Sequence, residues 1–329
     1  MFPHNIPRPI PPSTSSSAPR ALGSGAASDM IAGMGKAIEN LDDVGLDLPV
    51  HELPMTDIGP GGVVGALERQ DTKAWAKVAK RLGRDWWVRL DWGTPPPGGW
   101  ERVVEEGERA WPLMTPGRIL RGDGQVLEGV SPSGAARGDR FVVTSDQRLD
   151  SAVTSAGVVN APCAAVRGLA DQLSALGVAL SDSLAAEPRL QMTITRNTEG
   201  LLACFPGNGA KYNCHYDGGG TDPRKLTAIL YVNPEWHDEA DGRLMMYDAG
   251  SFSAAHGPGE KCWRSVRPRA GSLVLFRSDL VLHKVNPTWE RRFALTMFYA
   301  AKTSSELKRD ASRTRRQEHQ QHEHGVGIR

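Results

Sequence analysis

The second half of the chain alternates short apolar runs with turn-forming residues. After about Arg189 these runs are separated by Gly, Pro and Asp, a pattern that predicts short strands with tight connections. The runs read LQMTIT, GLLACF, KLTAILYVN, GRLMMYD, SVRP, GSLVLF and RFALTMFYA. The first two flank Arg196-Asn-Thr-Glu-Gly200, which predicts a hairpin. Many short strands in series are typical of a sandwich or barrel, so we expect a mainly β fold.

Helical periodicity precedes these strands and predicts supporting N-terminal helices. From Ala164 to Leu180 the apolar positions follow helical spacing, at Val166, Leu169, Ala170, Leu173, Leu176 and Leu180. A further helix is expected around Thr72 to Leu82. The segment GTPPPGGW, residues 93–100, predicts a loop, because proline removes a backbone donor and glycine breaks the periodicity. A second loop is expected from Ser131 to Asp139.

The two ends of the chain differ in composition from the middle. The first 30 residues are rich in Pro, Ser, Gly and Ala, which cannot form a core, and every tryptophan lies between Trp75 and Trp289. We therefore expect a disordered extension at 1–70, a folded domain at 71–302 with its β core at about 190–302, and a charged, disordered tail at 303–329. Because no acid precedes Asp29, an organelle transit peptide is an alternative for the first segment.

Charge and cysteine content exclude several classes of protein. The chain of 329 residues has 39 basic and 38 acidic residues, a net charge of +1, which gives no overall attraction to nucleic acid or acidic membranes. No run approaches the roughly 18 consecutive apolar residues of a membrane span. Four cysteines in this length do not predict a disulfide framework. We expect a cytoplasmic or nuclear protein that binds neither nucleic acid nor membrane.

The stretch CFPGNGAKYNCHYD, residues 204–217, carries the first chemical signal. Alternation along a strand puts His215 and Asp217 on the same side, about 7 Å apart along the backbone. His283 lies downstream, and Arg292 begins the next predicted strand. Two imidazoles and one carboxylate that leave metal positions open are typical of non-haem Fe(II) oxygenases, although a catalytic zinc uses the same ligands. A planar guanidinium binds a carboxylate bidentately, so Arg292 favours a small dicarboxylate such as 2-oxoglutarate.

Each of these residues also has an ordinary structural interpretation. His283 can be a core histidine held by backbone carbonyls, and Arg292 can pair with an acidic side chain. The joint order and spacing of the four residues favours the metal site over these separate explanations.

Longer motifs add a resemblance to a known family. The segments CFPGNGAKYNCHYD, RKLTAILYVNPEW, GRLMMY, PRAGSLVLFRSD, HKVNP and RRFALTMFYA occur in this order. Together they resemble the oxygen-sensing prolyl 4-hydroxylases of the hypoxia-inducible-factor type. The resemblance is strong from about Leu201 to Ala301. It implies an Fe(II)- and 2-oxoglutarate-dependent dioxygenase on a double-stranded β-helix, a jelly-roll fold of the cupin type.

The resemblance also implies roles for individual residues. It makes His215, Asp217 and His283 the iron ligands, with Arg292 as a further catalytic residue that holds 2-oxoglutarate. The other residues implied to bind the cosubstrate are Tyr231, Thr227, Ile229, Phe205 and Tyr212. The residues implied at the substrate mouth are Arg224, Asp139, which pairs with it, and Arg137, with residues 131–143 as the substrate loop.

The family implies Fe(II), 2-oxoglutarate, O2 and ascorbate as cofactors and cosubstrates. It implies a proline-containing intracellular protein or peptide as substrate, a possible part in the hypoxia response, and a monomer. Two positions depart from its pattern: Phe205 stands where a tyrosine is usual, and Val143 where a tryptophan is expected.

Two other functions stay open. One is a 2-oxoglutarate hydroxylase of another side chain or a small molecule, which Val143 favours. The other is a catalytically silent binding module on the same fold. The intact set of His215, Asp217, His283 and Arg292 argues against the silent module.

Overall fold

The structure is a computed structural model of the chain. It describes residues 48–120, 126–128, 138–150, 152–154, 157–159, 163–198, 200–219, 222–249 and 261–313. None of the helices among these residues has the length and apolar character needed to cross a membrane. All four cysteines are buried, and none of them belongs to a disulfide.

Two facing sheets form the core of the domain. Within the described residues the eight-stranded major sheet contains β2 (Trp87–Asp91), β3 (Thr115–Pro116), β6 (Arg140–Val143), β9 (Met192–Asn197), β10 (Leu201–Phe205), β12 (Arg224–Tyr231), β15 (Ser272–Arg277) and β17 (Arg292–Thr303). The five-stranded minor sheet contains β1 (Val50–Glu52), β11 (Ala210–His215), β13 (Leu244–Asp248), β14 (Cys262–Val266) and β16 (His283–Thr288). Two small hairpins pair β4 (Arg118–Leu120) with β5 (Val126–Glu128) and β7 (Ala152–Thr154) with β8 (Gly157–Val159).

The strand order shows a jelly roll rather than a meander. The major sheet runs β2-β15-β12-β17-β10-β6-β3, and the minor sheet runs β1-β14-β13-β16-β11. Consecutive strands such as β11 and β12, or β16 and β17, therefore alternate between the two sheets. The mainly β, double-stranded β-helix fold predicted from the sequence is confirmed.

Four helices pack beside the major sheet or on one another: α1 (Gly62–Glu68), α2 (Thr72–Asp85), α3 (Gly99–Ala110) and α4 (Ala164–Ala186). A fifth helix, α5 at residues 304–313, follows the last strand. The long helix α4 packs against β9 and β17, where the Tyr299 hydroxyl donates to the Leu173 carbonyl at 2.7 Å. Gly177 allows this approach, because a Cβ there would lie 2.5 Å from the Tyr299 ring. The predicted helices at 72–82 and 164–180 are confirmed and extend further.

The predicted hairpin between LQMTIT and GLLACF is wrong. Both β9 and β10 pair with β17, at Met192–Asn197 opposite its end and at Leu201–Phe205 opposite its beginning. The two strands therefore follow one another along the same edge of β17. The twelve residues of β17 are long enough to pair with both, so the intervening turn residues bridge two strands without reversing the chain.

The folded region also begins before residue 71, where the sequence set its boundary. Strand β1 adds to the edge of the minor sheet in parallel with β14, and helix α1 follows it. Leu53 and Val63 are buried in the core, at 2% and 0% exposure. Residues 1–47, including the proposed transit peptide, lie outside the described residues.

Besides α1, two further helices occur where the sequence predicted none. Helix α3 begins at Gly99, within the predicted proline-rich loop. Helix α5 begins after Thr303, within the predicted tail, where Thr303 Oγ1 accepts from the Glu306 N–H and Glu306 Oε2 accepts from the Thr303 N–H at 2.7 Å. This reciprocal pair is a capping box, which the sequence TSSE signals. Residues 314–329 lie outside the described residues.

A buried carboxylate fastens helix α3 to helix α4. The Glu106 side chain is fully buried, and its Oε2 accepts the Val166 N–H at 2.9 Å in the first turn of α4. Its Oε1 accepts from Arg102 Nε at 3.1 Å, four residues earlier in α3. The first N–H groups of a helix lack partners within the helix, and a carboxylate there also favours the helix dipole. Glu106 thus caps α4 from outside.

We expect Glu106→Ala to lower the free energy of unfolding by about 2–3 kcal/mol, since it leaves a buried donor and arginine without their acceptor. Urea unfolding followed by circular dichroism measures the change. Glu105→Ala is the matched control, because the Glu105 side chain is 63% exposed and forms only a surface ion pair at 3.6 Å. Equal losses in the two variants would contradict the capping role.

Candidate metal centre

Three side chains meet at one end of the minor sheet. His215 ends β11, His283 begins β16, and the two residues are direct cross-strand partners. Asp217 lies two residues after the end of β11, and its carboxylate approaches both histidines. Its Oδ1 lies 3.4 Å from His215 Nε2, and its Oδ2 lies 3.6 Å from His283 Nε2. One ligand atom from each residue lies within 4.8 Å of the others, and all three side chains are buried. This geometry suits a single ion.

Backbone carbonyls orient both imidazoles. His215 Nδ1 lies 2.8 Å from the Asn213 carbonyl, and His283 Nδ1 lies 3.0 Å from the Val281 carbonyl. A carbonyl only accepts, so each Nδ1 carries the proton and each Nε2 presents a lone pair to the site. Burial and the neighbouring His215 lower the pKa of His283 to about 4, against the opposing effects of Asp217 and the Val281 carbonyl. His283 is therefore neutral, as a metal ligand must be.

Aromatic rings restrict the histidines further. Tyr212 stacks on His215, with ring centroids 3.8 Å apart and an angle of 21° between the planes. Phe276, from the major sheet, meets His283 edge to face at 4.7 Å. Tyr212, which the resemblance implied at the cosubstrate, thus contacts a candidate ligand.

Two hydroxyls from the major sheet orient Asp217. Thr227 Oγ1 donates to Asp217 Oδ2 at 2.8 Å, and it lies 2.9 Å from Ser278 Oγ. Thr227 has a single hydroxyl proton, which it donates in the hydrogen bond to Asp217. In the contact between the two hydroxyls Ser278 is therefore the donor and Thr227 the acceptor. Both hydroxyls are fully buried. The chain from Ser278 through Thr227 holds one carboxylate oxygen and leaves Oδ1 for a metal.

A buried cation lies deeper between the sheets. Arg292, at the first position of β17, is 2% exposed, and its Cζ lies 4.8 Å from the Phe205 ring centroid and 5.0 Å from that of Tyr231. Burial lowers the pKa of Arg292, while Tyr231, Cys204 and Asp139 oppose that shift. The arginine remains charged, because a guanidinium does not lose its proton in proteins.

Polar atoms around Arg292 leave a place for an anion. Among the described residues, Tyr231 Oη and Arg292 Nε are buried and form no hydrogen bond of good geometry, although the two side chains are close enough to interact with each other. Burial raises the pKa of Tyr231, which keeps its hydroxyl protonated as a donor. A buried cation and an adjacent phenol that has no well-aligned acceptor fit the carboxylate of a ligand. The His-Asp-His set and this second site together fit Fe(II) and a dicarboxylate that spans between them.

Strand β12 supplies one wall of this region. Thr227, Ile229 and Tyr231 alternate along it and share a face. Thr227 and Tyr231 are fully buried, whereas Ile229 is partly exposed, as a residue that lines an open pocket would be. The structure thus brings together the candidate ligands and the residues predicted to bind the cosubstrate.

The implied ion pair between Arg224 and Asp139 is wrong. Arg224 lies opposite Ala300, near the end of β17, whereas Asp139 directly precedes Arg140, which lies opposite Cys204. Since Cys204 pairs near the beginning of β17, the two residues lie at opposite ends of the major sheet. Arg224 Nε instead donates to both carboxylate oxygens of Asp222, at 3.0 and 2.9 Å.

Other predicted substrate contacts have separate outcomes. Arg137 and most of the loop at 131–143 lie outside the described residues. Val143 ends β6 opposite Leu201 and is partly exposed. Ser278 and Asn233 contact the candidate residues or their neighbours, and the sequence did not single them out. Strand alternation was the available signal for Asn233, which follows Tyr231 by two residues.

Comparisons with known proteins support this assignment. Residues 200–300 match the model of the 2OG-Fe(II) oxygenase superfamily. These residues include all three candidate ligands and Arg292, so the family matched is the one to which the geometry points. Its members use Fe(II), 2-oxoglutarate and O2, and ascorbate is typical of the family.

Several curated relatives are named as prolyl hydroxylases. The chain is 34% identical over 117 residues to the hypoxia-inducible factor prolyl hydroxylase of Caenorhabditis elegans, which covers 35% of this chain and 15% of the relative. It is 31% identical over 108 residues to human Egl nine homolog 1, a match that covers 32% of this chain and 23% of the relative. It is 30% identical over 109 residues to human prolyl hydroxylase EGLN3, a match that covers 32% of this chain and 41% of the relative. The matches thus span less than half the length of these relatives.

A solved structure shows the same fold. The prolyl hydroxylase of Trichoplax adhaerens, in complex with a hypoxia-inducible factor peptide fragment, aligns over 72% of this chain and 92% of its own, with a TM-score of 0.52 and 21% identity. The resemblance found in the sequence is confirmed by the family model and the relatives, and this structure confirms the predicted fold.

We expect Thr227→Val to weaken metal binding by about 10- to 100-fold, the usual range when a group that orients a ligand is lost. The variant keeps the shape of threonine and removes the donor to Asp217. Titration with Co(II), followed by its visible absorption, measures the affinity without turnover. Thr195→Val is the matched control, since Thr195 Oγ1 donates to the Ala300 carbonyl, away from the site. Unchanged Co(II) affinity in Thr227→Val would contradict the role of this hydroxyl.

Proposed function

We propose that this chain, whose residues 200–300 match the model of the 2OG-Fe(II) oxygenase superfamily, hydroxylates C4 of proline in an intracellular protein. The observation that supports a 2-oxoglutarate-dependent reaction is the pairing of the His-Asp-His cluster with the buried Arg292 and Tyr231. Prolyl hydroxylation is supported by the relatives, which are named as prolyl hydroxylases.

In this proposal His215, Asp217 and His283 hold Fe(II), and Arg292 with Tyr231 binds the distal carboxylate of 2-oxoglutarate. Bound together, the iron and cosubstrate supply the oxidising chemistry, in which 2-oxoglutarate, O2 and a prolyl residue give succinate, CO2 and hydroxyproline. The protein itself holds the metal ligands and the cosubstrate-binding residues in position. Thr227 and Ser278 fix the orientation of Asp217, and the rings of Phe205 and Tyr231 hold the guanidinium of Arg292.

Phe205 modifies the pocket in a specific way. Its ring keeps the stacking contact with Arg292 but offers no hydroxyl, so Tyr231 is the phenol beside the guanidinium. Of these two residues, only Tyr231 could therefore donate a hydrogen bond to the cosubstrate carboxylate.

The nature of the substrate rests on similarity. The Trichoplax adhaerens structure holds a hypoxia-inducible factor peptide, which supports a peptide or protein substrate here. We propose a related role in oxygen sensing, with a monomer as the active form. Val143, where a tryptophan was expected, favours a second candidate function, the hydroxylation of another side chain or a small molecule.

We expect the purified chain with Fe(II) and ascorbate to form succinate from 2-oxoglutarate, stimulated by at least one proline-containing peptide. Mass spectrometry should show one added oxygen on proline. His283→Ala should abolish both signals, because it removes a ligand. Arg292→Ala should raise the KM for 2-oxoglutarate by about 10- to 100-fold, since hydrogen bonds to a charged group contribute about 1.5–3 kcal/mol.

Arg291→Ala is the matched control for Arg292→Ala. Arg291 is the adjacent residue, is 38% exposed and pairs with Glu108 on the surface, so its removal should leave the KM unchanged. Succinate formation without oxidation of any peptide would retain the oxygenase and reject the proline substrate. Wild-type turnover in His283→Ala would reject the metal assignment.

A further inference from the structure

The buried side chain of Asn233 joins three segments of the major sheet. Its amide nitrogen donates to the Pro268 carbonyl at 2.7 Å and to the Phe293 carbonyl at 2.9 Å. Its amide oxygen accepts the Phe293 N–H at 2.8 Å. The end of β12 is thereby fastened to the beginning of β17 and to the turn that leads into β15.

These bonds continue the sheet beyond its backbone ladder. The register of β12 with β17 ends at the pair Tyr231 and Ala294. One step further, the Asn233 side chain supplies both a donor and an acceptor to Phe293, as a strand neighbour would. On this edge the first residues of β17 are therefore held by a side chain, whereas on the other edge they pair with β10, where Phe205 lies opposite Arg292.

The three hydrogen bonds of the Asn233 side chain, here called the Asn233 clamp, lie next to the two groups that face the anion site. Tyr231 lies two residues before Asn233, and Arg292 directly precedes Phe293. From the other side Gly242 packs against the stem of Arg292, since a Cβ there would lie 3.1 Å from Arg292 Cδ. The backbone next to Arg292 is thus held by Asn233 on one edge and by β10 on the other, while the stem of Arg292 is confined by Gly242.

We infer that Asn233 is a positioning residue that sets the affinity for 2-oxoglutarate by fixing Arg292 relative to Tyr231. The inference rests on the proposed function, in which these two residues bind the distal carboxylate. A carboxylate binds most tightly when the side chains that contact it are already in place. Each side chain that must be ordered on binding lowers the affinity. Displacement of a positioning group by about 1 Å can cost as much as about 100-fold.

The test compares the full-length wild type with Asn233→Ala, both loaded with Mn(II), by calorimetric titration of 2-oxoglutarate. We expect the Kd of the variant to rise by about tenfold, with a parallel rise in KM during turnover with Fe(II). The affinity for Mn(II) should stay the same, since two candidate ligands belong to strands of the minor sheet and the third, Asp217, follows one of them by two residues. Asn233→Thr, which keeps a hydroxyl and suits a strand end, serves if the alanine variant does not fold.

Tyr299→Phe is the matched control for loss of stability. It removes another buried hydrogen bond between a side chain and a carbonyl, on the same strand but away from Arg292. This variant should melt at a lower temperature and bind 2-oxoglutarate as the wild type does. An equal Kd in Asn233→Ala and the wild type would overturn the clamp alone, and so would an equal loss in Tyr299→Phe. No binding of 2-oxoglutarate by the wild type would overturn the proposed function.

Discussion

The burial of one positive charge constrains the rest of the pocket. Arg292 lies in the core at 2% exposure, and removal of a cation from water is costly unless other groups compensate. The rings of Phe205 and Tyr231 face its guanidinium, and the more distant charge of Asp139 also favours it. None of these neighbours is an ion-pair partner among the described residues. The fold therefore keeps a cation ready for an anion that arrives from outside.

The jelly roll separates the two halves of the site between its sheets. The candidate metal ligands follow β11 and begin β16 in the minor sheet, whereas Arg292, Tyr231 and Phe205 belong to the major sheet. Facing sheets pack about 10 Å apart, a gap that a small dicarboxylate can span. Thr227 crosses this gap from the major sheet to Asp217, so the carboxylate is oriented by the sheet that also carries the arginine.

This division explains why side chains, rather than backbone ladders, complete the site. Strand pairing fixes His215 opposite His283, but it ends before Asp217 and before Asn233. Beyond those points Thr227 and Ser278 restrain the carboxylate, and the amide of Asn233 restrains the start of β17. The residues that are chemically most important thus lie where regular structure stops and specific hydrogen bonds take over.

The sequence by itself determined the fold class and the helices at 72–82 and 164–180, because strand alternation and helical spacing are local properties. It also predicted His215, Asp217, His283 and Arg292 as one site from their order and spacing. Tertiary structure decided what depends on partners distant in the chain. In the folded chain β9 and β10 pair along one edge of β17, and Arg224 pairs with Asp222. Strand β1 and helix α1 also belong to the folded domain. Tertiary structure also joined Ser278 to Thr227 and Asn233 to Phe293, since contacts across 51 and 60 residues leave no periodic trace in the sequence.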